Sequence, residues 1–492
     1  MFRSDRVLGI RQRRTAQEVA SHGGASRPGP VGPDQGAAPV DPAAPRVETR
    51  PEGWRLVDRR GLLKAAGMAA VAAPAAGLLA ACGGGSGGGG ARKVRIGLVS
   101  PRTGALRNFA YVDNFVVGTM KGLFADGMRV GVNTLPVEIF VRDGQSDRNR
   151  AAAAATDLIF ADKVDIVLVS GTADNVNPVS DICEAQGVPC ISTSVPWEAW
   201  FYGRGGNPEK SFTWTHHLYW GMSDIRSAYR SMWRALDVPR TVALLLPDDQ
   251  EGDAFANTSY GLPKLAEDGF DVLGGGAPFR YAVGSGAFND LMRNVVDRRI
   301  SIVAGTPNIA DFSAFWKLLN EENYRPHVVT LSKALTFPTD VGDLGLAANG
   351  FTTEVGWSPK SQFRSSLTNR SAEELVNEYR LEEGRVWSQP LGFTHALFEI
   401  VEQALMSVDS IDDRQAVREA ISKVEARTIV GDISFAGDPA KGIPRNVATV
   451  PLAGGRWTQE GNNGFNLRIV DQNGLNVSPE TQMVDLQSIS AG

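Results

Sequence analysis

The sequence predicts an α/β protein built as two doubly wound parallel-sheet lobes joined by a hinge of several crossovers. Three observations carry this. Short apolar runs at 166–169, 241–246, 300–304 and 328–331 are bounded as buried parallel strands should be. Each stops at a turn of small or polar residues, and segments with helical apolar spacing follow. The pattern starts afresh near His216, so one lobe is followed by a second.

The 492 residues carry a formal charge of −5, unevenly spread. Residues 1–81 hold 12 Lys/Arg against 7 Asp/Glu, while the remainder holds 38 against 48. An acidic body argues against nucleic acid as a partner. Residues 1–57 form an extension rich in Pro, Ala, Gly and Arg without sustained apolar periodicity, and are expected to be disordered. The text changes at Asp58. Arg59-Arg60, a spacer, Leu62-Leu63 and Lys64 resemble a twin-arginine export signal, and 65–81 is an uncharged apolar stretch of signal length. Leu79-Ala80-Ala81-Cys82 resembles a lipobox with Cys82 as the lipidated residue, so 58–81 reads as a lipoprotein signal. Residues 82–92, containing GGGSGGGG, form a tether. The expectation is a protein exported by the twin-arginine route, anchored at the cell envelope by its N-terminal lipid and otherwise soluble.

In chain order, 94–99 is the first strand, 109–126 a helix and 137–141 a strand. Asp147 is an N-cap candidate for the alanine-rich helix over 148–160. The unit over 164–194 is strand, helix, strand, with both strands opening onto hydroxyl-bearing loops, Ser170-Gly171-Thr172 and Ser192-Thr193-Ser194. Ligands of open α/β sheets bind outside the carboxyl ends of the strands, which points to Thr172, Asp174 and the residues after Ser194. Residues 212–214 read as a short extended crossover. The second lobe then takes helices near 225–236, 254–267, 287–296 and 310–320 between strands at 241–246, 270–273, 300–304 and 328–331. Residues 349–355 read as a crossing back. The domain boundaries expected are 93–214 with 357–445 for lobe 1, 215–356 with 446–460 for lobe 2, and 461–492 as a C-terminal tail.

No nucleophile elbow, phosphate loop, dinucleotide fingerprint or HExxH motif is present. No spacing supports a metal, and no cofactor is expected. His216-His217 are adjacent and read as loop residues near the crossover. Asp248-Asp249 read as turn and cap residues rather than a catalytic pair. With Cys82 lipidated, Cys183 and Cys190 remain as either a possible disulfide or two buried thiols.

Lys93-Val94-Arg95-Ile96-Gly97 with Pro101-Arg102-Thr103-Gly104, the turn Arg142-Asp143-Gly144-Gln145-Ser146-Asp147, Gly187-Val188-Pro189 and Asp248-Asp249-Gln250-Glu251-Gly252 together resemble the type I periplasmic binding proteins of the leucine/isoleucine/valine-binding family. The resemblance covers 93–460. It implies a non-enzymatic, monomeric substrate-binding component that hands a small molecule to an ABC permease. Amino-acid-binding members hold the ligand from the loops after the third and fourth strands. Matched onto this chain, those loops give Thr172 and Asp174, then Val195 and Trp197. Glu251 and Lys333 fall where the family has an aromatic and an acidic residue, and Phe109 and Asn308 complete the candidate set. A lysine in place of an acid reverses the preferred ligand charge. The expectation is therefore an aromatic or otherwise apolar carboxylate, its anion met by Lys333 and its body packed on Trp197 or Phe109, with an amino-acid-like solute also within the reading. A ligand-binding sensor and, more remotely, an exported enzyme are the competing functions.

Overall fold

The computed structural model describes residues 92–461 and 464–489. The N-terminal extension, the signal at 58–81, Cys82 and the tether up to Ala91 lie outside the described residues.

The first sheet runs Val447–Ala448, Thr215–Leu218, Cys190–Thr193, Ile166–Val169, Val94–Ser100, Val137–Asp143, all parallel. Ile96 faces Ile166 and Leu98 faces Leu168 across its centre. Every residue of Ile166–Val169 is buried, because helices cover both faces of the sheet. The alanine-rich helix Arg148–Phe160 starts where expected, with the Asp147 carboxylate accepting from Asn149 N and Arg150 N, both at 2.9 Å. Helix Pro390–Leu405 returns to this lobe. Its Thr394 Oγ1 donates to Asp113 Oδ1 of helix Phe109–Leu123 at 2.9 Å.

The second sheet runs Arg280–Tyr281, Thr241–Pro247, Ile302–Gly305, Val328–Leu331, Thr352–Val355, Ala453–Glu460, Gly464–Asp471, with Asp271–Val272 paired beside Thr241–Pro247. Its first five strands are parallel and its last two antiparallel. This is the predicted α/β class, with two parallel-sheet lobes.

The expected boundaries move in three places. Thr215–Leu218 and Val447–Ala448 belong to the first sheet, not to the second lobe. The crossover expected at 212–214 therefore comes later, at Tyr219-Trp220-Gly221, just before helix Met222–Arg234. Strand Gly464–Asp471 completes the second sheet, and Leu475, Val477, Met483 and Leu486 beyond it are buried, so the expected tail is part of this lobe's core.

The strand Thr215–Leu218 also corrects the reading of His216 and His217. They are buried on opposite faces of a strand and are not loop residues. His217 contacts Ser192 Oγ through Nδ1 at 2.8 Å and Val195 O through Nε2 at 2.7 Å, with its ring stacked on Trp200. His216 Nε2 lies 2.9 Å from Ser422 Oγ. Burial drives both pKa values down to about 3, so both rings are neutral.

The chain crosses between lobes three times: at 219–221, between Val355 and Pro390, and at 449–452. The first two crossovers touch. A Cβ on Gly356 would lie 2.5 Å from the Trp220 ring, so only glycine lets the strands pass this closely. Gln389 ties the second crossover, donating from Nε2 to Glu354 O at 2.8 Å and accepting from Gly356 N at 2.8 Å.

Candidate functional site

A cavity lies over these crossovers, between the carboxyl ends of the two parallel sheets. Lobe 1 contributes Asn108, Phe109, Thr172, Ser194 and Pro196, and the first crossover contributes Tyr219 and Trp220. Lobe 2 contributes Glu251, Asn308, Ser332, Lys333, Phe337, Asp340 and Glu354. Rim contacts hold the lobes together around it. Asn108 Nδ2 donates to Asp340 Oδ1 at 2.7 Å, and Phe109 meets Phe337 edge to face at 4.9 Å. On the far side Asn177 Nδ2 donates to Gln250 Oε1 at 2.8 Å, and Tyr202 stacks on Tyr260 at 5.6 Å.

The charges in the cavity are set by local folding. Asp249 caps helix Gln250–Ala256, its Oδ1 accepting from Gly252 N at 2.7 Å. Its other oxygen accepts from Lys333 Nζ at 2.9 Å, and Glu251 Oε2 lies 3.2 Å from the same ammonium. Burial opposes the lysine's charge, but Glu251 and Asp249 outweigh it and hold its pKa above the usual range. Glu251 Oε1 accepts from Ala173 N at 2.8 Å, across the cleft. Ala173 opens helix Ala173–Gln186, whose N-cap residue Thr172 makes no side-chain cap. The glutamate of one lobe therefore satisfies an orphan amide at a positive helix end of the other.

Glu354 lies in a fully buried strand. It accepts from Tyr229 OH at 2.8 Å, from Thr353 Oγ1 at 3.3 Å and from Ser332 Oγ. Burial raises its pKa, and these hydrogen bonds pull it back. Asp340 is pushed up to about 6 by burial, with the Asn108 hydrogen bond opposing. Trp220 and Ser194 both line the cavity, while Trp220 Nε1 and Ser194 Oγ are themselves closed off from it and have no hydrogen-bond partner among the described residues. Ser194 is held at φ 74°, a left-handed conformation that serine seldom adopts.

Of the residues expected from sequence, the cavity brings together Phe109, Thr172, Glu251, Asn308 and Lys333. Asn308 spends its side chain on capping, accepting from Asp311 N at 2.8 Å. Three others stand elsewhere. Asp174 points outward, its carboxylate 3.8 Å from Arg148. Val195 is fully buried away from the cleft. Trp197 packs against Tyr202 and Gly221, so Trp220 takes the place expected for it. Lys333 itself is not an unpaired cation awaiting an anion, because two carboxylates already hold it. The residues missed include Asn108, Tyr219, Trp220, Phe337, Asp340, Glu354 and Gln389. A signal for Glu354 was in view, an acid inside the buried run Thr352-Thr353-Glu354-Val355.

Cys183 and Cys190 are both buried with free thiols. Among the described residues no cluster of His, Cys, Asp or Glu is placed to hold a metal, and no helix is long and apolar enough to cross a membrane.

A family model described as periplasmic binding protein matches residues 93–457. Among solved structures, the leucine-binding protein LivK of Thermotoga maritima aligns with a TM-score of 0.60 at 14% identity, covering 77% of this chain and 99% of its own. LivJ of Streptococcus pneumoniae, a branched-chain amino acid transporter substrate-binding protein in complex with isoleucine, gives 0.58 at 13%, covering 77% and 100%. A solute-binding protein of an ABC transporter from Rhodopseudomonas palustris, in complex with 3,4-dihydroxybenzoic acid, gives 0.59 at 15%, covering 79% and 99%. No match was found among curated proteins.

Proposed function

The chain belongs to the periplasmic binding protein family, and from that premise we propose that it captures a small organic solute between its lobes outside the cytoplasm and delivers it to an ABC importer. The observation that supports this best is the cavity itself. It is walled by both lobes and floored by the crossovers, so a solute inside it touches every part that moves when a clamp closes. Closure is favoured only by contacts the solute makes in the closed state. Asn108, Phe109, Asp340 and Phe337, which meet across the rim, are placed to form and break with that motion. Export through the Arg59-Arg60 signal and anchoring at Cys82 belong to the same reading.

The pairing of Lys333 with Asp249 and Glu251 weakens the case for an aromatic or apolar carboxylate. The ligand of this reading is accordingly a small organic solute. Thermal unfolding of the full chain against neutral amino acids, amines and organic acids tests the reading. A solute at 100 times its dissociation constant should add about 2.7 kcal/mol of stability. An unfolding midpoint that no solute in a broad panel raises would remove the binding function.

A further inference from the structure

We infer that the solute is a small organic cation without a carboxylate. This rests on the solute-binding reading above and narrows it to a chemical class. Four ionisable side chains that carry formal charge line the cavity: Lys333, Glu251, Asp340 and Glu354. The lysine's charge is already spent. Its ammonium is shared between Asp249 and Glu251, and the second oxygen of Glu251 is taken by Ala173 N across the cleft. Asp340 and Glu354 remain, and among the described residues neither has a Lys, Arg or His within ion-pair distance. Their partners are neutral: Asn108 for Asp340, and Tyr229, Thr353 and Ser332 for Glu354.

Carboxyls facing a cavity without an ion-pair partner, with only Arg107 acting on Asp340 from beyond ion-pair distance, favour a cation and disfavour an incoming anion. Asp113, another buried acid, shows the contrast. It receives Ser170 and Thr394 and lies outside the cavity, so its neutral partners complete a structural role. The remaining walls agree in chemistry. Phe109, Tyr219, Trp220 and Phe337 offer aromatic surface, which attracts an ammonium more than a carboxylate. The one lysine that lines the cavity is neutralised twice over, so a carboxylate would enter without a compensating charge.

Calorimetric titration of the full chain with L-leucinamide, L-leucine, choline and 3,4-dihydroxybenzoate tests this. The first two differ chiefly in replacing the carboxylate by a neutral amide. The expected result is binding of leucinamide or choline at least tenfold tighter than of leucine, with no binding of the benzoate. Glu354→Gln and Asp340→Asn, which keep shape and remove charge, should each weaken the cation at least tenfold. Asp340 lies at the rim, so its variant keeps the test open should Glu354→Gln fail to fold. Leucine or the benzoate binding tighter than both cations would overturn the inference and leave solute binding standing. Cation affinity unchanged in both variants would overturn it as well. Silence from all four probes would count against the inference and against the binding function together.

Discussion

Lys333→Ala is expected to destabilise the ligand-free protein by about 3–5 kcal/mol, because it strands two buried carboxylates. Asp249 and Glu251 have side chains only 11% and 5% exposed, and both lean on the one ammonium. Removing half of a buried ion cluster costs far more than the intact cluster contributes, since the desolvation of the survivors is no longer offset. Chemical unfolding without solute measures this. Lys333→Met combined with Asp249→Asn and Glu251→Gln should recover most of the loss, because nothing charged is then left uncompensated. A lysine held in reserve for a ligand's anion behaves differently. Its removal would leave the ligand-free stability near that of the parent and lower only affinity.

Stability is expected to fall steeply below about pH 4.5, driven by three histidines, and again above about pH 6.5, driven by buried carboxyls. Burial drives His216, His217 and His395 down to about 3 from an ordinary 6.5. A depressed folded-state pKa gives stability that is present above the unfolded value and lost as pH falls toward 3. Glu198 is pushed up to about 8 and Glu399 to about 7 by burial, and Asp340 to about 6. A raised pKa works in the opposite sense. Its stability is full below the unfolded value, 4.5 for the two glutamates and 3.8 for Asp340, and is lost as pH rises through the folded one. Between about pH 4.5 and 6.5 the two sets oppose each other, with Asp113 and Glu354, also raised by burial, on the carboxyl side, so the maximum of stability lies in or below this window. On the acid side the three histidines, at about 1.4 kcal/mol per proton, set a limiting slope on the order of 4 kcal/mol per pH unit. Midpoints of thermal unfolding from pH 3 to 9 test the shape. Glu198→Gln should flatten the alkaline limb, because Glu198 accepts from Met222 N with both oxygens and a neutral amide oxygen can still do so. A midpoint rising steadily from pH 5 to 8 would contradict the assignment.

The fold was legible because burial on both sheet faces writes itself into sequence as short unbroken apolar runs, such as 241–246 and 328–331. The lobe boundary was misplaced by one strand because Thr215-His216-His217-Leu218 carries polar side chains. They are buried against Ser192 and Val195, which satisfy both nitrogens of His217, and Ser422, which meets one nitrogen of His216, partners that no local pattern announces. The site was legible as loops at strand ends, which found Thr172 and Lys333. It was not legible as charge. The partners of Lys333 are 84 and 82 positions away in the sequence, and only the fold brings Asp249 and Glu251 to its ammonium. The two tryptophans show the same limit. Trp197 and Trp220 both follow strand ends, but the short helix Trp197–Phe201 turns the first ring against Tyr202 and Gly221. The crossover leaves the second lining the cavity.

Small-angle scattering of the full chain, alone and with each solute that raises its unfolding midpoint, tests the clamp most directly. The account predicts a smaller radius of gyration with solute, as the lobes close over Trp220 and Glu354 and the Asn108–Asp340 contact becomes permanent. Asp340→Asn and Glu354→Gln should diminish the change at the same solute concentration. A saturating solute that raises the midpoint and leaves the scattering profile unchanged, with both variants responding as the parent does, would contradict it: the solute would then be bound somewhere other than between the lobes.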